Sequence, residues 1–316
     1  MFCRGMGFDM SIFRGLSAFP ITPANEHGVV DEEGVMRLAT HLSASGVDCI
    51  GLLGSTGTYA YLSRAERRRA IRAAVKVVGG KTPLIVGIGT LRTDDAQNLA
   101  RDAAAEGVNG LLMAPVSYTP LTQEEVYQHY VAVAGATSVP LCIYNNPSTT
   151  HFRFGAELLA RLADVPNIAA VKMPAPAEGA VAQELAELRA SPVGKLSIGY
   201  SGDWIAAEAL LAGCDGWFSV LGGFLPKLAK AMVTAAHNGD VQSMTHYQAR
   251  LQPMWALFRE FGSLRVAYAA SHFLGICKAR PPLPVLPLTP HDQQRVVDAL
   301  QACMENGAVG NASVVR

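Results

Sequence analysis

Seven lysines stand in the chain, and only one of them ends an apolar run: Lys172, directly after Ile168-Ala-Ala-Val171. Lys76, Lys227 and Lys230 fall on helical stretches, Lys81 and Lys195 precede apolar runs, and Lys278 lies far toward the C-terminal end. An ammonium next to small apolar side chains is costly to desolvate, which favours the neutral amine that can attack a carbonyl carbon. The plainer alternative is a lysine whose stem packs on apolar surface while its head stays in water. A second candidate is the turn Gly54-Ser55-Thr56-Gly57-Thr58, where two glycines flank two hydroxyl residues. Successive backbone amides in such a turn can cradle a carboxylate or phosphate, although an ordinary glycine-rich connection reads the same way. A third is Tyr144, in Ile143-Tyr-Asn-Asn-Pro147. Its phenol could shuttle a proton or hold a developing alkoxide. Tyr118, in Pro115-Val-Ser-Tyr-Thr-Pro120, has the same potential; both could equally be amphipathic rim residues. Catalytic zinc usually needs three protein ligands, and the eight histidines do not cluster, His151 alone lying near Tyr144. No metal is expected.

Such residues need a frame that brings them together. Eight apolar, non-alternating runs begin at Leu16, Asp48, Pro83, Gly110, Pro140, Ile168, Leu196 and Gly216, spaced 20 to 35 residues apart. Runs without alternation suit strands covered on both faces, and such strands are usually parallel. The segments between them read as helices. Ser63-Arg-Ala-Glu66 and Thr122-Gln-Glu-Glu125 have the pattern of capping boxes, and Gly46, Gly107 and Gly213 sit where a helix ends shortly before a strand. Eight strands joined by right-handed helical crossovers predict a (β/α)8 TIM barrel. A doubly wound sheet would want GxGxxG after the first strand, which is missing. Residues 11–230 are assigned to the barrel and 231–316 to a C-terminal helical extension, with helices expected near 241–260, 263–277 and 289–306. In this fold chemistry sits at the C-terminal ends of the strands, where Lys172, Tyr144 and the Gly54–Thr58 turn fall.

Composition narrows the partners. Lysine plus arginine (26) equals aspartate plus glutamate (26), so no basic face is implied for nucleic acid or an anionic membrane. Half of the residues are hydrophobic, yet no run approaches the roughly 20 apolar residues of a membrane span. The first ten residues lack the apolar core of a signal peptide. Six scattered cysteines without a CxxC pair read as buried free thiols, and the protein is expected to be cytoplasmic.

Together these motifs resemble the family of dihydrodipicolinate synthase and N-acetylneuraminate lyase. The residues concerned are Gly54-Ser-Thr-Gly57, Tyr144-Asn145-x-Pro147, Val171-Lys172, Ser201-Gly-Asp203 and Gly216-Trp-Phe-Ser-Val220, in that order, over about Phe13 to Leu300. The resemblance implies a pyruvate-dependent class I aldolase or lyase with Lys172 as the Schiff-base residue and no cofactor. It implies that Tyr144 relays protons and that Ser55 links it into a relay. It places Thr56, Gly54 and Gly57 around the 2-oxo acid carboxylate and Phe218 and Thr149 at the substrate. Tyr118 matches a tyrosine that reaches a neighbouring subunit's relay, which implies a homotetramer built as a dimer of dimers. Two departures stand out: Thr58 where many members carry glutamate, and Thr149 where the synthases proper carry an arginine for a second carboxylate. The reading placed first is therefore aldol cleavage or condensation between a 2-oxo acid and an uncharged aldehyde, as with a keto-deoxy sugar acid. The alternatives are 4-hydroxy-tetrahydrodipicolinate synthase itself, a dehydratase or hydratase-aldolase on the same iminium, and a non-catalytic barrel. In the last, Gly199, Gly202, Gly222 and Gly223 would build a small-anion site.

Overall fold

The computed structural model describes residues 10–304; Cys3, the first nine residues and the chain beyond 304 lie outside it. Eight parallel strands close a barrel in sequence order: β1 (Gly15–Ala18), β2 (Cys49–Leu52), β3 (Leu84–Gly87), β4 (Gly110–Met113), β5 (Leu141–Tyr144), β6 (Ile168–Met173), β7 (Ser197–Tyr200) and β8 (Gly216–Ser219). β1 pairs with both β2 and β8, which completes the ring. Helices between strands are α1 (Glu32–Ala44), α2 (Arg64–Val78), α3 (Thr93–Ala105), α4 (Gln123–Ala134), the short α5 (Pro147–Thr150), α6 (Ala156–Ala163), α7 (Val181–Ala190) and α8 (Ala206–Leu211). α9 (Pro226–His237) follows β8, and α10 (Val241–Phe261), α11 (Ser263–Phe273) and α12 (Pro290–Met304) form the C-terminal helical layer. The expected division at residue 230 falls inside α9, because the helix that completes the eighth βα unit continues to His237.

Alternation along each strand separates two cores. Outward side chains join the helices in one large cluster, while Phe13, Phe19, Cys49, Ile85, Leu112, Cys142 and Phe218 fill the barrel interior. Gly46, Gly107 and Gly213 take the left-handed backbone that ends a helix before a strand, with φ of 75°, 82° and 83°. Thr122 and Glu125 form a complete capping box. Ser63 does not: it accepts from Glu66 N at 3.3 Å, but the Glu66 carboxylate turns away to Val30 N and Arg69. Val30, 36 residues away, and Arg69 on the same helix outcompeted the cap.

One irregularity matters for the site. Leu141 pairs with Ile168 but Cys142 with Ala170, so β6 holds an extra residue at this point. Ala169 and Ala170 accordingly both face the barrel interior. Beyond the bulge the register sets Lys172 beside Tyr144 on one side and Gly199 on the other. Had even pairing continued from Leu141 and Ile168 along the same sequence, Tyr144 would face Val171, and Lys172 would point outward into the helices.

Candidate active site

Lys172 is the penultimate residue of β6 and is 5% exposed. Its Nζ lies 4.1 Å from the Tyr144 ring centroid, 4.3 Å from that of Phe19 and 5.5 Å from that of Phe218. No carboxylate pairs with it among the described residues. The amine therefore sits among three aromatic faces, which favour a positive charge without neutralising it. The Tyr144 hydroxyl has two neighbours. Ser55 Oγ is 3.4 Å away, and Asn146 Nδ2 donates to the phenol oxygen at 3.0 Å. Ser148 Oγ in turn donates to Asn146 Oδ1 at 2.9 Å, which fixes the amide with its nitrogen toward Tyr144. Asn145 is buried behind this strand end, and its backbone N–H donates to the Lys172 carbonyl at 3.0 Å, tying the end of β5 to β6.

The β2 turn opposite is compact. Leu53 and Thr58, both buried, bracket it with φ of 55°, a conformation that non-glycine residues adopt only under constraint. A Cβ on Gly54 would come within 2.7 Å of the Phe19 ring, and one on Gly57 within 3.0 Å of Leu53 N and Thr22 Oγ1. Both glycines are required by close approach. The amides of Ser55, Thr56 and Gly57 donate to no acceptor among the described residues, whereas Thr58 N reaches Ser55 O at 3.1 Å. Thr56 is buried with them. Successive free amides in a largely buried turn suit an anionic group.

Asp203, after β7, anchors the neighbouring loops. It accepts from Trp217 Nε1 at 2.7 Å, Val220 N at 3.0 Å and Leu221 N at 3.1 Å. Burial pushes its carboxyl up to about 6 against the pull of those donors. The same burial, with no cation beside it, raises the Cys49 thiol in the barrel interior to about 12. Neither cysteine of the interior, Cys49 nor Cys142, is a ready nucleophile.

Lys172, Tyr144, Ser55, Thr56, Gly54, Gly57 and Phe218 thus come together. Tyr118 does not join them in this chain: it projects from the β4–α4 loop, 95% exposed. Thr149 lies exposed on α5, its hydroxyl directed at Asn146 O at 3.4 Å. His151 caps the same helix. Arg92, a possible substitute cation, is held at the start of α3 by Asp94 at 2.9 and 2.7 Å. Among the described residues no three His, Cys, Asp or Glu side chains are grouped to hold a metal, and no helix is long and apolar enough to cross a membrane. Two residues, one against the Tyr144 hydroxyl and one against the amine, escaped the sequence reading. Asn146 occupies a position where the motif tolerates any residue, and Phe19 reads as one more apolar residue after strand one.

Comparison with known proteins supplies a frame for this geometry. The Dihydrodipicolinate synthetase family matches residues 12–303. A 4-hydroxy-tetrahydrodipicolinate synthase from Moorella thermoacetica is 35% identical over 89% of this chain and 95% of its own. A crystal structure of dihydrodipicolinate synthase from Agrobacterium tumefaciens superimposes with a TM-score of 0.91 at 55% identity, covering 93% of this chain and all of that one. The chloride-inhibited dihydrodipicolinate synthase from Acinetobacter baumannii, solved with pyruvate, has a TM-score of 0.83 at 29% identity, covering 92% and 99%.

Proposed function

Since the chain belongs to the dihydrodipicolinate synthetase family, we propose that Lys172 carries the iminium of a pyruvate-dependent carbon–carbon lyase. The family's enzymes are class I lyases that use a lysine Schiff base with pyruvate and no external cofactor. The observation that supports assigning this role here is the Lys172 amine, buried beside Tyr144, whose hydroxyl lies 3.4 Å from Ser55 in the turn with free amides. Those amides and Thr56 hold the pyruvate carboxylate. The amine adds to C2, and with uptake of one proton the carbonyl oxygen leaves as water. The iminium then accepts the electron pair of a C3–H bond as its proton departs. The resulting enamine attacks an aldehyde carbon through C3, and the new alkoxide takes a proton. Hydrolysis of the iminium returns the amine. Tyr144, coupled to Ser55, is placed to carry the protons. Borohydride added with pyruvate should attach one reduced pyruvyl group to Lys172, and Lys172→Ala should abolish both labelling and turnover. Labelling at another lysine, or none under conditions that trap a known class I aldolase, overturns the assignment.

On the acceptor, the names of the relatives favour the synthase reaction, with aspartate semialdehyde, over the sugar-acid aldolase placed first on sequence grounds. One observation favours an aldehyde with no second carboxylate: Thr149 stands in place of the synthase arginine, and Arg92 is engaged by Asp94. A neutral hydrogen bond is worth about 0.5–1.5 kcal/mol against roughly 1.5–3 for a charged one, so the loss should reach one or more factors of ten. A coupled assay separates the two. A kcat/KM for aspartate semialdehyde above ~10⁴ M⁻¹ s⁻¹, in the ordinary enzyme range, establishes the synthase; a lower value with faster turnover of a hydroxylated aldehyde establishes the alternative.

A further inference from the structure

The walls around the Lys172 amine are unusually rigid for apolar side chains. Phe19 and Phe218 are each 2% exposed and meet edge to face, with centroids 5.9 Å apart. Both rings stand over the amine. Behind each ring the backbone has been cut back to glycine. A Cβ on Gly51 would penetrate the Phe19 ring, one on Gly54 would lie 2.7 Å from it, and one on Gly199 would lie 2.5 Å from Phe218 Cε2. Phe19 is further held by its own amide, bonded to Ser219 O at 2.8 Å, and β8 is pinned by Asp203 through Trp217 and the two amides after Ser219. Neither ring can retreat without displacing backbone.

From this packing we infer that Phe19 and Phe218 form a size filter on the 2-oxo acid, admitting the methyl group of pyruvate and excluding a longer C3 substituent. The inference rests on Lys172 being the iminium residue. Condensation bonds the amine nitrogen to C2, takes up one proton and expels the carbonyl oxygen as water, so C3 must lie within bonding distance of C2 and close to Nζ. Phe19 and Phe218, with centroids 4.3 and 5.5 Å from Nζ, border the space beside the amine. The same faces then lie against the iminium cation, so they stabilise the charge of the correctly seated adduct as they confine it. A ring with no room behind it cannot yield to an added methyl group, unlike a flexible aliphatic wall.

The test compares rates of borohydride trapping with pyruvate and with 2-oxobutanoate by intact mass, which needs no aldehyde. The wild type should favour pyruvate by at least ~10-fold, the lower range for one methylene in a tight pocket. Phe19→Ala should narrow that preference to within ~3-fold while its thermal midpoint shows a folded protein. Phe218→Leu is the second variant, expected to shift the ratio in the same direction should Phe19→Ala fail to fold. Equal wild-type rates, or an unchanged ratio in a folded variant, overturn the filter. No trapping of the wild type with either acid overturns the Lys172 assignment itself and the filter with it.

Discussion

At the scale of single residues, the direction of one hydrogen bond decides how Tyr144 can work. Asn146 Nδ2 donates to the phenol oxygen, so the phenol's own proton is left for Ser55 Oγ or for substrate. A motif residue without an assigned task therefore sets the polarity of the proposed relay. Asn146→Leu should lower kcat by roughly 3- to 10-fold, the worth of one neutral hydrogen bond, with little change in the KM for pyruvate. Asn146→Asp should be worse than leucine, because a carboxylate would accept the phenol proton and reverse the relay. Steady-state kinetics on both variants check this; a raised KM with unchanged kcat would assign Asn146 to binding instead. Lys172 and Tyr144 were legible in the sequence because few residues of their type end a strand. Asn146 and Phe19 were not, since an amide in a loop and an aromatic ring beside a strand carry no signal until their neighbours are known.

At the scale of elements, the bulge in β6 is what turns a strand-end lysine into an inward-facing one. Side chains alternate with period two, so one residue more or less reverses the face of everything beyond it. The bulge absorbs that one residue, so deleting Ala169 should restore even pairing and leave Ala170, Val171 and Lys172 opposite Cys142, Ile143 and Tyr144. Borohydride labelling at Lys172 should therefore survive the deletion in a protein whose circular dichroism still reports a (β/α)8 barrel. Loss of labelling in a folded deletion variant would show that the bulge does more than keep Lys172 on the inner face. The element order itself was legible, because each strand is a continuous apolar run and α1, α2, α3 and α8 each end close to a glycine in the left-handed conformation, at Gly46, Gly80, Gly107 and Gly213. The bulge was not. Ile168-Ala-Ala-Val171 offers small apolar side chains that fit either face, and only the pairing with β5 distinguishes Ala169 from Ala170.

At the scale of the molecule, three consecutive loops at the catalytic end leave large apolar side chains in solvent: Tyr61, Leu91 and Tyr118. Such side chains on one rim are suited to cover by another surface. The expected assembly is a tetramer of two tight dimers with Tyr118 at the contact. Light scattering at micromolar concentration should give four times the mass of one 33.5 kDa chain, and Tyr118→Asp should shift it to smaller species with reduced turnover. A fully active wild-type monomer would overturn both the assembly and the role of Tyr118. By itself, the sequence determined the barrel, its order of elements and the strand ends that carry Lys172, Tyr144 and the residue 54–57 turn, because hydrophobic periodicity and glycine placement are local properties of the chain. Only the tertiary structure decided that Lys172 faces inward, that Phe19 and Phe218 close around it, and that Ser55 meets the Tyr144 hydroxyl. Those outcomes depend on register and on contacts between residues far apart in the chain, where the same side chains could have satisfied either arrangement.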